Sequence, residues 1–144
     1  MSEAPIHIHG LDHFVLRVRD LDRSLAFYRD LLGLHVQFLD DYRKGTRPFV
    51  SVCVGEELLD LVPDATYDPS VGLNAGGFLH LCIRFSRPPM ADLLPVLKAH
   101  DIELIDEQPV PRMGATGMGL SIYVRDPDGY VVELKEQNVG RVDP

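Results

Sequence analysis

The chain has 144 residues, 45% of them hydrophobic and 25% charged, with a formal net charge of −8. That balance belongs to one compact soluble unit long enough to bury a real core. No apolar run approaches the roughly 20 residues of a membrane span, and an acidic chain without a basic patch argues against nucleic-acid binding.

Residues 1–10 read as an N-terminal arm, and they lack the basic and apolar regions of a signal peptide, which predicts a cytoplasmic protein. Residues 11–19 alternate and read as a strand. Apolar positions Leu21, Leu25, Tyr28, Leu31 and Leu32 fall at helical spacing, predicting a helix over 21–32 with Asp20 or Asp22 as its cap and Gly33 as its stop. Short strands are predicted near 34–40, 48–54 and 57–62. The stretch 63–77, with prolines, glycines and no period, reads as a linker.

The order then repeats. A strand is predicted near 78–85, a helix near 89–100, and strands near 102–106, 119–125 and 130–136. Arg125-Asp126-Pro127-Asp128-Gly129 is a turn between the last two. Residues 138–144 read as a frayed tail. The expected fold class is α+β: two βαβββ modules, 11–62 and 78–136, within a single domain 11–137, sharing a curved mixed sheet with helices outside.

Strand alternation sorts the side chains onto two faces. Phe14, Leu16 and Val18 share an apolar face, as do Leu79, Leu81, Ile83 and Phe85, and again Tyr130, Val132 and Leu134. The opposite face carries His13, Arg17, His80, Arg84, Glu133, Lys135 and, from the penultimate strand, Ser121 and Tyr123. A wet sheet face tolerates such residues without any function. Yet each half opens on a histidine, His13 or His80, and closes on a carboxylate, Asp60 or Glu133. Two imidazoles and two carboxylates brought together by duplication suit a divalent metal: zinc, nickel, iron, manganese or cobalt. Such a site keeps positions open for substrate oxygens while a carboxylate moves a proton. His13, His80 and Glu133 form the best triad, and the shorter Asp60 is the weaker fourth member.

His7 and His9 in the arm, and His35 and His100 at helix ends, read as surface residues. Cys53 and Cys82 sit in strand-like runs, without zinc-ribbon or thioredoxin spacing, and read as reduced strand residues.

Leu11-Asp12-His13-Phe14-Val15-Leu16-Arg17-Val18, the helix after it, and Arg125-Asp126-Pro127-Asp128-Gly129-Tyr130-Val131-Val132-Glu133-Leu134 resemble the vicinal oxygen chelate superfamily of glyoxalases, fosfomycin-resistance proteins, extradiol dioxygenases and bleomycin binders. The resemblance covers roughly residues 11–136 and implies metal ligands at His13, His80 and Glu133, with the fourth position at Asp60. The first motif is similar to that of bacterial glyoxalase I, which implies that Arg17 contacts a carboxylate of glutathione as co-substrate. Asp60 departs from the glutamate of glyoxalase I, and the potassium-loop and phosphonate residues of fosfomycin enzymes are not evident. Single-pair chains of the family often complete a cavity with a second subunit, which implies a homodimer. The expected function is a metal-dependent lyase or isomerase acting on a small vicinal-oxygen substrate, with Glu133 and Asp60 in catalytic positions and Arg17, Arg84 and Tyr123 binding substrate. The alternatives are an iron-dependent extradiol-type dioxygenase and a non-catalytic small-molecule-binding protein.

Overall fold

A computed structural model describes residues 5, 6, 8–70 and 77–137. The expected tail, His7, the start of the arm and the middle of the linker lie outside the described residues. The first half runs β1 (His13–Val18), α1 (Leu21–Leu25) continuing as a π-helical segment (Ala26–Leu31), β2 (Val36–Gln37), α2 (Leu39–Arg43), β3 (Val50–Val54) and β4 (Glu57–Pro63). The second runs β5 (Leu81–Phe85), α3 (Met90–Ala99), β6 (Val110–Gly114), β7 (Gly117–Arg125) and β8 (Val131–Glu136). The class is α+β, and each half is a βαβββ module with one added short helix in the first. The chain divides into two compact units between Tyr67 and Asp68, one module in each. Among the described residues no helix is long and apolar enough to cross a membrane.

Each module is a four-stranded mixed sheet, ordered β1-β4-β3-β2 in the first and β5-β8-β7-β6 in the second. In both, the first strand lies parallel to the last, and the remaining pairings are antiparallel. The helix between first and second strands supplies the crossover that a parallel pair requires.

Asp20 starts α1 from an extended backbone, and its carboxylate accepts from Arg23 N. Gly33, with φ +72, ends the helical run as predicted. Leu25, Phe27 and Tyr28 of this run are buried, with Leu16, Val18, Val50, Val52, Leu59 and Leu61 from the sheet. Each such side chain contributes roughly 1.5–3 kcal/mol by leaving water. In the second module the core is Ile83, Met90, Leu97, Ile122, Val124, Tyr130, Val132 and Leu134. The amide of Met90 at the start of α3 donates to Glu136 Oε2 at 2.8 Å, tying the helix to the end of β8.

Three expectations need correction. The predicted strand 34–40 is only Val36–Gln37, because Phe38 turns into a left-handed conformation and α2 follows. The predicted strand 102–106 reduces to a single bridge, Leu104 to Val124, and the edge strand is β6, from the segment Pro109–Gly114. Two prolines and a glycine disguised it, since an edge strand tolerates missing ladder donors. The apolar face also ends early: Phe14 near the start of β1 is 44% exposed, and Leu79, two residues before β5 begins, is 77% exposed.

Lys135, expected on a wet face, is buried instead. Its amine donates to the carbonyls of Arg112 and Gly119, so the β6–β7 hairpin solvates it. Glycine makes room for this: a Cβ at position 114 would lie 2.6 Å from Lys135 Cε, and one at 119 would collide with the Glu136 carbonyl. Gly119→Ala should therefore cost about 1–3 kcal/mol by overpacking. Its urea midpoint should fall, while Gly10→Ala, where a Cβ meets nothing within 4 Å, leaves the midpoint unchanged.

Candidate metal centre

The sequence-predicted site residues occupy matching positions in the two modules. Across the parallel pair of the first sheet, His13 is level with Leu58 and Val15 with Asp60. Across that of the second, Cys82 is level with Glu133. His80 lies one residue before β5, whose first residue, Leu81, is level with Val132. In each module the histidine lies two residues before the partner of the carboxylate, on the same face. Arg17 and Arg84 match in the same way, each two residues past that partner.

The antiparallel neighbour completes each row. Ser51 stands opposite Asp60, and Tyr123 opposite Glu133. Both donate a hydroxyl to the carboxylate beside them: Ser51 Oγ to Asp60 Oδ1 at 2.6 Å, and Tyr123 OH to Glu133 Oε1 at 2.8 Å. One oxygen of each acid is thereby held, and the acid is oriented by its own sheet.

The second module shows the pair in full. His80 Nε2 lies 3.6 Å from Glu133 Oε2, the oxygen that Tyr123 leaves open. The Tyr123 ring also meets the His80 ring edge-on, with centroids 5.5 Å apart. Tyr123, expected to line a pocket, thus orients both members of the pair. Burial pushes the Glu133 carboxyl up, but hydrogen bonds from Cys82 and Tyr123 and the charge of His80 outweigh it, so its pKa falls below the ordinary value. The same surroundings push the Cys82 thiol up to about 12, chiefly by desolvation although the residue is accessible, and then through its bond to Glu133. Cys82 is therefore a thiol donor to the carboxylate, not a thiolate nucleophile.

In the first module His13 is exposed, and its Nδ1 is 2.6 Å from Asp12 Oδ1. That hydrogen bond is the main reason its pKa is raised, with burial opposing and the charges of Asp12 and Asp60 adding to it. A carboxylate on Nδ1 leaves Nε2 as the outward-facing ligand atom. Asp60 is buried at 8% exposure, in contrast to His13. Arg17 Nη1 lies 3.8 Å from Asp64 Oδ2. Among the described residues, no group of three His, Cys, Asp or Glu side chains lies together as a metal site needs. The structure brings one histidine and carboxylate together, His80 with Glu133, and places His13 and Asp60 on one face of the first sheet.

The His80–Glu133 pair suits a divalent cation. Two donors each about 2.0–2.2 Å from a shared metal stand roughly 3–3.6 Å apart, and imidazole with carboxylate is a common donor set. The His80–Glu133 separation of 3.6 Å is at the edge of that range.

Asp12, Ser51 and Cys82 were not read from the sequence as parts of the site. Ser51 carried a signal, because duplication places it where Tyr123 stands in the second half. Asp12 carried less, since Leu79 holds its place before His80. Of the remaining histidines, His100 caps α3 with its ring against the Val96 carbonyl, and the His35 carbonyl accepts from Cys53 N.

Duplicated βαβββ modules with a histidine and an acid at one register define a glyoxalase-like protein. The chain belongs to the Glyoxalase/Bleomycin resistance protein/Dioxygenase superfamily, whose family model matches residues 10–134. It is 30% identical to the virulence protein STM3117 of Salmonella typhimurium over 130 residues, covering 90% of this chain and 85% of that one. The crystal structure of that protein superposes with a TM-score of 0.69, covering 92% of this chain and all of the other, at 28% identity. A lactoylglutathione lyase of Salmonella typhimurium is 29% identical over 130 residues, covering 90% of this chain and 94% of that enzyme.

Tyr123→Phe should raise the Glu133 pKa by removing a donor to its ionised form. A carboxyl whose folded pKa is depressed contributes stability above its unfolded pKa and loses it as pH falls through the folded value. The variant should thus begin acid unfolding at a higher pH than wild type, with the Glu133 carboxyl carbon titrating higher by NMR. An unchanged carboxyl titration would contradict the assigned hydrogen bond.

Proposed function

We propose that this protein is a divalent-metal-dependent lyase or isomerase of glyoxalase type, acting on a small substrate with vicinal oxygens. The observation that supports the reading is the matching placement of the two sets: in each module the histidine stands two residues before the strand partner of the acid, Val15 for Asp60 and Cys82 for Glu133. Chance polar decoration of a sheet has no reason to repeat that register together with a hydroxyl on each acid.

In this reading His13, His80 and Glu133 are the proposed ligands of a divalent cation, with Asp60 the weaker fourth member, and the protein is a homodimer. A bound divalent ion supplies Lewis-acid polarisation of the substrate oxygens. His13 and His80 offer Nε2, and Glu133 offers Oε2 while Tyr123 holds Oε1. Asp60 is the candidate proton carrier. It is shorter, it is bonded to Ser51, and a carboxylate reaching the metal less directly is freer to accept a proton. Arg17 and Arg84, at matching places beyond the acids, are candidates for a substrate carboxylate. The relative named lactoylglutathione lyase makes a glutathione-linked substrate the first to try. A cytoplasmic location fits that chemistry.

Elemental analysis with a lactoylglutathione turnover assay tests the proposal. The wild-type protein should hold a divalent metal. His80→Ala and Glu133→Gln should lose most of it and reduce turnover at least about 100-fold, the scale on which metal catalysis operates. Asp60→Asn should keep metal but lose turnover. Oxygen uptake with catechols would favour the ring-cleaving alternative. Ligand binding insensitive to chelators, without turnover, would favour sequestration.

A further inference from the structure

The loop between α2 and β3 holds a basic side chain that the proposed metal reading does not use. The Arg47 guanidinium carbon lies 3.8 Å from the centroid of the Phe38 ring and 4.3 Å from that of Phe49. Held against two rings, the planar group has its orientation fixed and keeps only its hydrogen-bonding edges for other partners. Its Nε is buried and donates to nothing among the described residues, and no carboxylate among them lies within ion-pairing distance. A buried guanidinium N–H without an acceptor is costly, and native structures rarely keep one.

Phe38 adds a second, independent sign. Its backbone is left-handed, with φ 66 and ψ 18, a conformation that strains a bulky side chain. Strain of this kind collects at ligand sites, where the surrounding structure enforces it. The residue is nevertheless 41% exposed, so burial of its ring does not account for the strained backbone. A third sign is position. Phe49 directly precedes β3 and stands two residues before Ser51, which donates to Asp60. Two strand steps, roughly 7 Å, separate Phe49 from Ser51 along the backbone.

We propose that Arg47 is an oxyanion anchor, binding a carboxylate or phosphonate group of a small ligand that lies along the Asp60 face of the first sheet. The aromatic pair sets the plane of the fork, and the fork matches two oxygens of one anionic group. Preorganisation by Phe38 and Phe49 reduces the ordering cost of binding. A substrate held this way carries an acid group in addition to any vicinal oxygens.

The test uses the full-length protein stripped of metal, so that its outcome is separate from the metal reading. The Arg47 Nε–H signal is followed by heteronuclear NMR during titration with acetate and with methylphosphonate, and with chloride at matched ionic strength. A saturable shift with an organic oxyanion and none with chloride is expected, and the stronger of the two identifies the acid class. Arg47→Lys keeps the charge but loses the fork, and it should bind the better anion about tenfold more weakly, as loss of a charge-assisted hydrogen bond predicts. A shift that does not saturate, or equals that with chloride, would overturn the proposal and leave Arg47 as a cation–π staple between two rings. The wild-type titration decides this even where the variant is unstable.

Discussion

The parallel pairing of the first and last strands in each module is the constraint on which the rest depends. Side chains alternate with period two, so a slip of one residue between β1 and β4 would turn Asp60 toward the core and leave His13 without an acid on its face. The register is held by what lies on the other face. Leu16, Val18, Leu59 and Leu61 are all buried, and a slip of either strand would expel its own two. The apolar side thus fixes the polar side. Buried Ile83, Val132 and Leu134, with half-buried Leu81, repeat the arrangement in the second module, and the register of Glu133 follows from theirs.

Within this shared frame the two pairs have diverged. Glu133 is long, accepts from a tyrosine, and faces an imidazole whose ring that same tyrosine touches. Asp60 is one methylene shorter and accepts from a serine that is itself fully buried. His80 is oriented by an aromatic neighbour, whereas His13 is oriented by the carboxylate of Asp12. The pKa of His13 is raised, chiefly by its hydrogen bond to Asp12, and that of Glu133 is lowered by hydrogen bonds and the charge of His80, which outweigh its burial.

Much of this was legible in the sequence, for a physical reason. Alternation and helical spacing are strong where one face is buried, so β1, α1, β4, β5, α3 and β8 follow from the apolar pattern. The histidines and acids stand out against that pattern because they break it twice in the same place. What escaped was governed by contacts rather than period. β6 carries Pro111 and pairs on one side only, so its residues show no alternation to read. Lys135 looked wet because nothing in its neighbourhood announces that two backbone carbonyls will solvate it. The hydroxyl donors Ser51 and Tyr123 become partners only once the antiparallel register is known. Arg47 drew no notice in the sequence, since its two rings come from opposite ends of the α2 loop.

The central proposal is that His13 and His80 both serve as metal ligands. X-ray absorption at the edge of the metal retained by the purified protein tests it most directly, because multiple scattering from imidazole rings counts histidine ligands. The account predicts two imidazoles and a remaining first shell of oxygen, falling to one imidazole in both His13→Ala and His80→Ala. A shell with one imidazole in the wild-type protein, or one that survives loss of either histidine unchanged, would contradict it.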